Sequence, residues 1–317
     1  MSFSSRVKDE LSRQISSARH CEIAEIAAIL SLCGKVHIAE DESYSIRIHT
    51  ENVAVARKYF TLLKKAFNIR ADISIRRNAY LKKNRTYTVL IRSNEDAVRV
   101  LAACKLLDER GDIKEDMSVV KNMIIQNNCC RRAFIRGAFL AAGSISDPEK
   151  FYHMEIVCTS SEKAKQLQSI IITFKVDAKI VVRKKYYVVY IKEGSQIVEM
   201  LGIMEANNAF MELENIRIIK EMRNSVNRQV NCETANINKT VSAAVKQLSD
   251  ITYIRDTVGF DYLPDTLADI ARERLERPDA TLKELGEMLS PSVGKSGVNH
   301  RLRKICAIAE ALREQRE

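Results

Sequence analysis

An internal repeat is the feature that most restricts how this chain can fold. Residues 67–77 (FNIRADISIRR) recur at 174–184 (FKVDAKIVVRK), with Phe, Ala and Ile at matching places and a basic pair at each end. The next predicted strands also match, at 87–92 (YTVLIR) and 187–192 (YVVYIK). A supersecondary unit that occurs twice predicts two similar halves that must bury their apolar faces together.

A further match gives each half its opening helix. Residues 26–34 (IAAILSLCG) correspond to 135–143 (IRGAFLAAG), and both runs end in glycine, which often follows a helix in the left-handed conformation. The small residues Ala27, Ala28 and Gly137 lie inside these helices. We therefore expect the two helices to approach closely at a pseudo-two-fold axis and to join two four-stranded sheets into one concave surface.

The hydrophobic periodicity alternates between helix and strand in the order αββαββα in each half. The expected fold class is α+β, with a two-repeat domain at 1–206, a linker helix at 207–232 and an all-α domain at 233–317. The length of 317 residues agrees with two domains. No apolar run is long enough to span a membrane, and residues 1–20 lack the apolar segment of a secretory signal. We expect a cytoplasmic protein without membrane contact.

The eight cysteines show no spacing typical of a metal site. There is no Cys-x-x-Cys pair, and the vicinal pair Cys129-Cys130 has no second pair in the sequence to complete a site. Without an export signal, reduced thiols are expected. We predict no metal site and no cofactor.

The formal net charge of +10 lies in the repeated part, because residues 225–317 carry 14 basic and 14 acidic residues. Residues 64–92 hold nine basic residues and one acid, and residues 163–192 hold eight and one. Charge concentrated around strands in two matching places favours a polyanionic partner such as nucleic acid; a solvated charged surface is the alternative. The predicted phosphate contacts in this part are Arg76, Arg77, Lys82, Lys83, Arg85, Arg183, Lys184 and Lys185.

Residues 281–312 have the pattern of a helix-turn-helix. Thr281 can cap the first helix, and Glu284 completes a capping box. Residues 290–292 (SPS) interrupt the helix, and a second amphipathic helix follows. Residues 295–304 contain four basic residues and no acid, as is typical of a recognition helix in the major groove.

The outward face of this second helix carries side chains that suit base recognition, since Asn and Arg make two-point contacts with adenine and guanine. A solvated helix face is the alternative. We assign base reading to Lys295, Ser296, Asn299, His300 and Arg303, and phosphate contacts to Arg301 and Lys304.

The repeat resembles the LAGLIDADG homing-endonuclease fold in its single-chain form, with motifs at 26–34 and 135–143. In that family the eighth motif position is an acid that binds the catalytic metal, and phosphodiester hydrolysis depends on it. Cys33 and Ala142 stand at these positions here. The resemblance therefore implies the fold without the cleavage, so we expect no catalytic residues and no enzyme activity.

The C-terminal segments 231–240 (NCETANINKT) and 281–304 (TLKELGEMLSPSVGKSGVNHRLRK), together with the degenerate motifs, closely resemble the WhiA family of Gram-positive transcription regulators. This resemblance covers essentially the whole chain. It implies sequence-specific binding to double-stranded promoter DNA, control of sporulation, cell division and chromosome segregation, and association with the nucleoid. It also allows a WhiB-type regulator or RNA polymerase as a partner. One departure is Gly294, where a hydroxyl N-cap is expected; glycine there costs only a few tenths of a kcal/mol.

Two other functions stay open from the sequence. One is a residual metal-dependent endonuclease. The other is a scaffold that binds another transcription regulator or structured RNA, because phosphate contacts do not distinguish RNA from DNA.

Overall fold

The computed structural model describes residues 1–77, 85–107, 113 and 122–315. They form two units, Met1–Glu221 and Met222–Glu317, each with its own hydrophobic core. Among the described residues, no helix has the length and apolar character needed to cross a membrane.

The first unit contains two copies of the predicted αββαββα order after a short N-terminal helix. Its elements are α1 (Phe3–Arg13), α2 (Arg19–Cys33), β1 (Gly34–Ile38), β2 (Tyr44–Thr50), α3 (Val53–Phe67), β3 (Asp72–Arg77), β4 (Arg85–Ile91), α4 (Asn94–Ala103), α5 (Asn128–Ala142), β5 (Gly143–Ile145), β6 (Met154–Cys158), α6 (Ser161–Ile172), β7 (Lys179–Arg183), β8 (Tyr186–Ile191) and α7 (Gly194–Met204).

Side-chain caps start the corresponding helices α3 and α6 at the same place in each repeat. Asn52 Oδ1 accepts from the amide of Ala54 at 2.8 Å, and Ser160 Oγ accepts from the amide of Lys163 at 3.4 Å. These bonds satisfy backbone donors that the first helical turn leaves unpaired. The middle helices of the two repeats, α3 and α6, therefore start with the same type of side-chain N-cap.

Each repeat contributes one antiparallel four-stranded sheet, in the order β1-β2-β4-β3 and β5-β6-β8-β7. Ile48 pairs with Val89 in the first sheet and Ile156 with Val189 in the second. All four side chains are buried, so alternate residues along each strand point to the opposite, open face. The two-repeat fold and the α+β class are confirmed.

Helices α2 and α5 pack against each other at the centre of the unit, as predicted. A Cβ atom added to Gly137 would lie 2.6 Å from the carbonyl oxygen of Glu25 and 3.0 Å from Cβ of Ala28. Both distances are shorter than a normal carbon contact. Because the backbone of α2 lies so close to position 137, only glycine fits there.

The glycines that end α2 and α5 do not adopt the left-handed conformation that we expected. Gly34 has φ −80° and Gly143 has φ −86°, and each is already the first residue of a strand. An added Cβ would lie 2.5 Å from the carbonyl oxygen of Leu30 or 2.3 Å from the ring of Phe139. Close packing against the preceding helical turn, and not backbone freedom, excludes a side chain.

A buried ion cluster connects the two repeats. The carboxylate of Glu25 lies 3.1 Å from Nζ of Lys58 and accepts two hydrogen bonds from Arg136, at 3.1 and 3.2 Å. Arg136 also donates to Glu205 at 2.8 Å and to Ser16 at 3.0 Å. Burial lowers the pKa of Lys58, and the carboxylate of Glu25 opposes that change.

The three central side chains of this cluster are at most 2% exposed. Nζ of Lys58 also donates to the carbonyl oxygens of Leu11 and Gln14. All three ammonium protons are thus used. A cluster whose charges are paired and hydrogen-bonded in this way tolerates burial, whereas the loss of one partner leaves an unpaired charge.

The second unit is helical, as predicted. Its elements are the C-terminal part of α8 (Asn207–Thr257), a 3₁₀ turn (Phe260–Tyr262), α9 (Asp265–Glu276), α10 (Leu282–Met288) and α11 (Lys295–Glu314).

Helix α8 continues beyond the linker helix that the sequence predicts at 207–232. The structure has one continuous helix that ends before Gly259, whose φ is +76°. The segment contains no proline or glycine, and asparagine lowers helix stability by only tenths of a kcal/mol per residue. The exact domain boundaries remain a prediction.

Candidate nucleic-acid interface

The capping box at the start of α10 has the geometry that the sequence predicts. The amide of Glu284 donates to Oγ1 of Thr281 at 3.3 Å, and the amide of Thr281 donates to Oε2 of Glu284 at 2.7 Å. The hydrogen bond from the Thr281 amide to the carboxylate of Glu284 lowers the pKa of Glu284. The two reciprocal bonds fix the start of the first helix of the helix-turn-helix.

A close backbone contact fixes the turn between α10 and α11. The amide of Val293 donates to the carbonyl oxygen of Gly286 at 2.9 Å. A Cβ atom at position 286 would lie only 1.9 Å from the carbonyl oxygen of Val293. Only glycine lets the chain after the turn return so close to α10.

Helix α11 separates a buried face from an open face. Val298, Leu302, Ile305 and Ala309 are 0% exposed and form the apolar face of the predicted amphipathic helix. The residues predicted to read bases lie elsewhere on the helix: Lys295, Ser296, His300 and Arg303 are exposed, and Asn299 is half-buried. A surface groove of about 500 Å³ is lined by Lys295, Ser296 and Asn299 together with Leu282 of α10.

The two residues predicted to contact phosphate on α11 differ in their surroundings. Lys304 is exposed and has no ion-pair partner in the part of the chain that the structure describes. Arg301 is half-buried, and its Nη1 donates to the carbonyl oxygen of Thr266 at 3.4 Å. Arg301 therefore also contributes to the packing of α11 on α9.

The open face of the first sheet carries a basic group that the sequence analysis missed. Lys35 pairs in register with Arg47, and His49 of the same strand pairs with Thr88. Strand alternation places Arg76 on this face as well, opposite Thr86. Within the described ranges, Lys35, Arg47 and Arg76 form no ion pair.

The positive charges on this face contribute to a lowered pKa of His49. Burial lowers the pKa of His49 most, and the charges of Arg47, Lys35 and Arg76 lower it further. His49 Nδ1 lies 2.9 Å from Oγ1 of Thr88. Three cations that act together on one histidine mark a surface that attracts anions.

The remaining predicted contacts of the first hairpin have different positions. Arg85 is exposed, but alternation with buried Val89 places it on the face opposite Arg76. Lys82 and Lys83 lie outside the described residues, and for Arg77 the structure describes only the backbone. Of the five predicted residues here, Arg76 is the one that the structure assigns to the open face.

The second sheet is not the basic equivalent of the first. Arg183 points to its open face but donates to Oε2 of Glu155 at 2.8 Å, and His153 lies 3.1 Å from the same oxygen. Burial alone would raise the pKa of Glu155, but His153 and Arg183 outweigh it and the pKa is lowered. The carboxylate thus neutralises Arg183.

The other two predicted cations of this sheet lie in its hairpin turn. Lys184 has φ +56°, and Nζ of Lys185 lies 5.5 Å from the ring centre of Tyr186. Nζ of Lys192 similarly lies 5.1 Å from the ring centre of Tyr190. This sheet therefore combines aromatic rings with exposed lysines and has less net positive charge on its strands.

The ends of α2 and α5, where a homing endonuclease would carry its acids, hold a thiol and a methyl group. Cys33 Sγ donates to the carbonyl oxygen of Ile29 at 3.2 Å, and burial raises its pKa to about 12. Lys8 faces this region, and burial lowers its pKa to about 8. With Ala142 in the second motif, the described residues offer no pair of carboxylates here.

At the opposite end of these helices, the structure places a second pair of potential ligands next to Cys129 and Cys130, which the sequence analysis did not find. His20 and Cys21 lie beside them, and the ligand atoms of all four side chains are within 4.8 Å of one another. A search for ligands at short spacings could not reveal this group, because the two pairs are 109 residues apart and meet only through the packing of α2 on α5.

Comparisons with known families agree with this architecture. Three family descriptions match: the WhiA N-terminal LAGLIDADG-like domain at residues 19–107, the WhiA LAGLIDADG-like domain at 131–223 and the WhiA C-terminal HTH domain at 226–309. Together they cover most of the chain.

Full-length relatives are similar throughout. The "Probable cell division protein WhiA" of Lachnoclostridium phytofermentans is 56% identical over 314 residues, which is 99% of this chain and 100% of the relative. The protein of the same name from Alkaliphilus oremlandii is 51% identical over 99% of this chain and 98% of its own. The crystal structure of full-length DUF199/WhiA from Thermatoga maritima, at 23% identity and a TM-score of 0.59, covers 98% of this chain and 99% of its own, and has the same fold. By these matches and by its two degenerate LAGLIDADG repeats followed by a helix-turn-helix, the chain belongs to the WhiA family.

Proposed function

We propose that this protein is a sequence-specific DNA-binding transcription regulator of cell division, sporulation and chromosome segregation. The observation that carries the proposal is the open face of α11, where three of the five candidate base-reading residues, Lys295, Ser296 and Asn299, line one groove beside α10. The names of the relatives, which describe probable cell division proteins, support the cellular process. The resemblance to Gram-positive regulators supports sporulation and chromosome segregation.

The chemistry of α11 suits the major groove. Its N-terminal half presents Lys295, Asn299 and Arg303 at intervals of four residues, so they follow one side of the helix. In helix-turn-helix proteins the N-terminal part of the second helix contacts base edges. Ser296 and His300 flank this row and are exposed. We assign base recognition to these five residues.

We further propose that the repeated unit binds the DNA backbone without cutting it. The basic group on the first sheet supplies unpaired cations for phosphates. The motif ends support the absence of cleavage, since Cys33 and Ala142 replace the acids that would hold catalytic metal ions. A regulator of this kind would act in the cytoplasm at the nucleoid, and a WhiB-type regulator or RNA polymerase fits it as a further partner.

Replacing Asn299 or Arg303 with alanine should reduce discrimination between specific and random DNA by about 1–3 kcal/mol, because each loses a two-point base contact. The specific probe is a duplex that the wild-type chain selects from a random library. Fluorescence anisotropy measures its affinity and that of a scrambled duplex of equal length.

Arg255→Ala is the matched control for this experiment, since Arg255 is an exposed arginine of the same unit that pairs with Asp256. Its affinity for both duplexes should equal that of the wild type. Equal losses of affinity on the specific and scrambled duplexes in the Asn299 or Arg303 variant would contradict base reading.

The triple variant Lys35→Ala, Arg47→Ala and Arg76→Ala should bind random duplex DNA more weakly and reduce the salt slope, log affinity against log salt, by up to about 3. Each cation would otherwise displace counterions from one phosphate. The change in slope is obtained from binding isotherms at several salt concentrations, with circular dichroism to check folding.

Arg183→Ala supplies the comparison from the second sheet. Because Glu155 already neutralises Arg183, its removal should change the salt slope by clearly less than one. A triple variant with an unchanged slope would exclude the first sheet as a phosphate-binding surface.

A further inference from the structure

Four metal-ligating side chains meet between α2 and α5. Nδ1 of His20 lies 3.1 Å from Sγ of Cys130 and 3.4 Å from Sγ of Cys21. Cys129 completes a group whose ligand atoms all lie within 4.8 Å of one another. With Zn–S and Zn–N bonds of about 2.3 and 2.0 Å, ligand atoms of a tetrahedral zinc site are separated by roughly 3.5–3.8 Å. The cluster is close to this size.

The cluster follows the pseudo-two-fold symmetry of the repeat. The motifs beginning at Ile26 and Ile135 are offset by 109 residues. The same offset relates His20 to Cys129 and Cys21 to Cys130. Each repeat therefore contributes an equivalent pair of ligands to one point on the axis between the central helices.

Both ligand pairs lie in the first turn of a helix. They are the second and third residues of α2 and of α5, and neither helix has a side-chain cap. The partial positive charge at two helix N-termini favours the thiolate form, which is the form that binds metals. One member of each pair, His20 and Cys129, is exposed, so an ion can enter from solvent.

The geometry points to a structural Zn²⁺ site with one histidine and three cysteine ligands. A metal ion bound there cross-links the two repeats at the start of α2 and α5. Four protein ligands close the coordination sphere, as in structural and unlike catalytic zinc sites. A bound cation also stabilises the thiolate form of the cysteines that coordinate it.

Cobalt binding to the full-length, tag-free protein tests the site. The protein is prepared with a reductant, cleared of metal with a chelator and titrated with Co²⁺. We expect one equivalent to give the absorption of tetrahedral cobalt with thiolate charge transfer, and Zn²⁺ to displace it. Zn²⁺ should also raise the melting temperature of the chelated protein, because the metal binds only the folded state.

Exposed ligands provide variants that keep the core intact. Losing a group that only hydrogen-bonds to a metal ligand weakens metal binding by up to about 100-fold. Cys129→Ser and His20→Asn remove a ligand itself, so each should weaken Zn²⁺ binding by more than about 100-fold and should remove the thermal shift. Cys232→Ser is the matched control, because Cys232 is an exposed cysteine on α8 outside the cluster; it should bind like the wild type.

Three results would overturn the proposal. The first is the absence of a tetrahedral cobalt spectrum in correctly folded wild-type protein. The second is cobalt binding that Cys129→Ser leaves unchanged. The third is a disulfide among Cys21, Cys129 and Cys130 in freshly alkylated protein, detected by mass spectrometry, which would assign the cluster to redox chemistry.

Discussion

Glu25→Gln should destabilise the first unit by about 3–5 kcal/mol. Glutamine has nearly the same shape but no charge, so Lys58 and Arg136 would remain buried with their shared counter-ion removed. Among the described residues, the half-exposed carboxylate of Glu205 forms an ion pair with Arg136 and none with Lys58, so it does not replace Glu25 as the direct counter-ion of Lys58. Native-state hydrogen exchange of the α2 amides in the full chain measures the loss of local unfolding free energy.

Glu212→Gln is the control for this measurement. Glu212 forms an ion pair with Arg6, but the two side chains are 43% and 46% exposed. Solvent screens such a pair, which typically contributes no more than about 1 kcal/mol. If Glu25→Gln were no more destabilising than this control, the buried cluster would not be holding the repeats together.

Gly286→Ala should unfold the helix-turn-helix while leaving the first unit folded. The added methyl group would lie 1.9 Å from a backbone carbonyl oxygen and 3.1 Å from Cγ2 of Val298. Overpacking typically costs about 1–3 kcal/mol, and a clash with backbone cannot be relieved by a side-chain rotation. We expect lost exchange protection in α10 and α11, and loss of specific DNA binding, with α2 and α5 unchanged.

Gly294→Ser provides the contrasting glycine substitution in the same motif. Gly294 is the N-cap of α11, and an added Cβ meets no atom within 4 Å. Serine at an N-cap supplies a hydrogen-bond acceptor, so α11 should gain a few tenths of a kcal/mol. Equal protection of α10 and α11 in Gly286→Ala and Gly294→Ser would refute the close-contact explanation for Gly286.

Local sequence patterns were sufficient to predict the repeat, the order of its strands and helices, and the capping box at Thr281. These features depend on neighbouring residues in the chain: strand alternation around Val89, for example, is visible within a few positions. The inward face of α11 was predictable for the same reason. Family resemblance then identified how two such repeats combine with a helix-turn-helix.

The properties of the open sheet faces depend on strand register, which the sequence does not display. Lys35 and Arg47 are distant from the charged hairpin in sequence but share a face with Arg76. Conversely, Arg183 lies in a basic segment but pairs with Glu155 on the adjacent part of the sheet. Charge counts along the chain therefore overestimated the similarity of the two halves.

The cluster of His20 and three cysteines was missed because the sequence search looked for ligands at short spacings. Metal ligands from two repeats can instead come together across a symmetry axis. Comparing residues at the 109-residue offset of the helix motifs would have aligned His20-Cys21 with Cys129-Cys130. That alignment is a signal a search for repeats can use.

The buried ion cluster also determines which halves can pair. At the same offset, Glu25 corresponds to Phe134, and Arg136 corresponds to Ala27. Two copies of the first half would leave each Glu25 with Lys58 but without the arginine, and two copies of the second would leave each Arg136 with Glu205 but without the buried glutamate. The complete buried cluster therefore forms only where one half of each kind meets, which favours pairing of the two different halves over self-pairing.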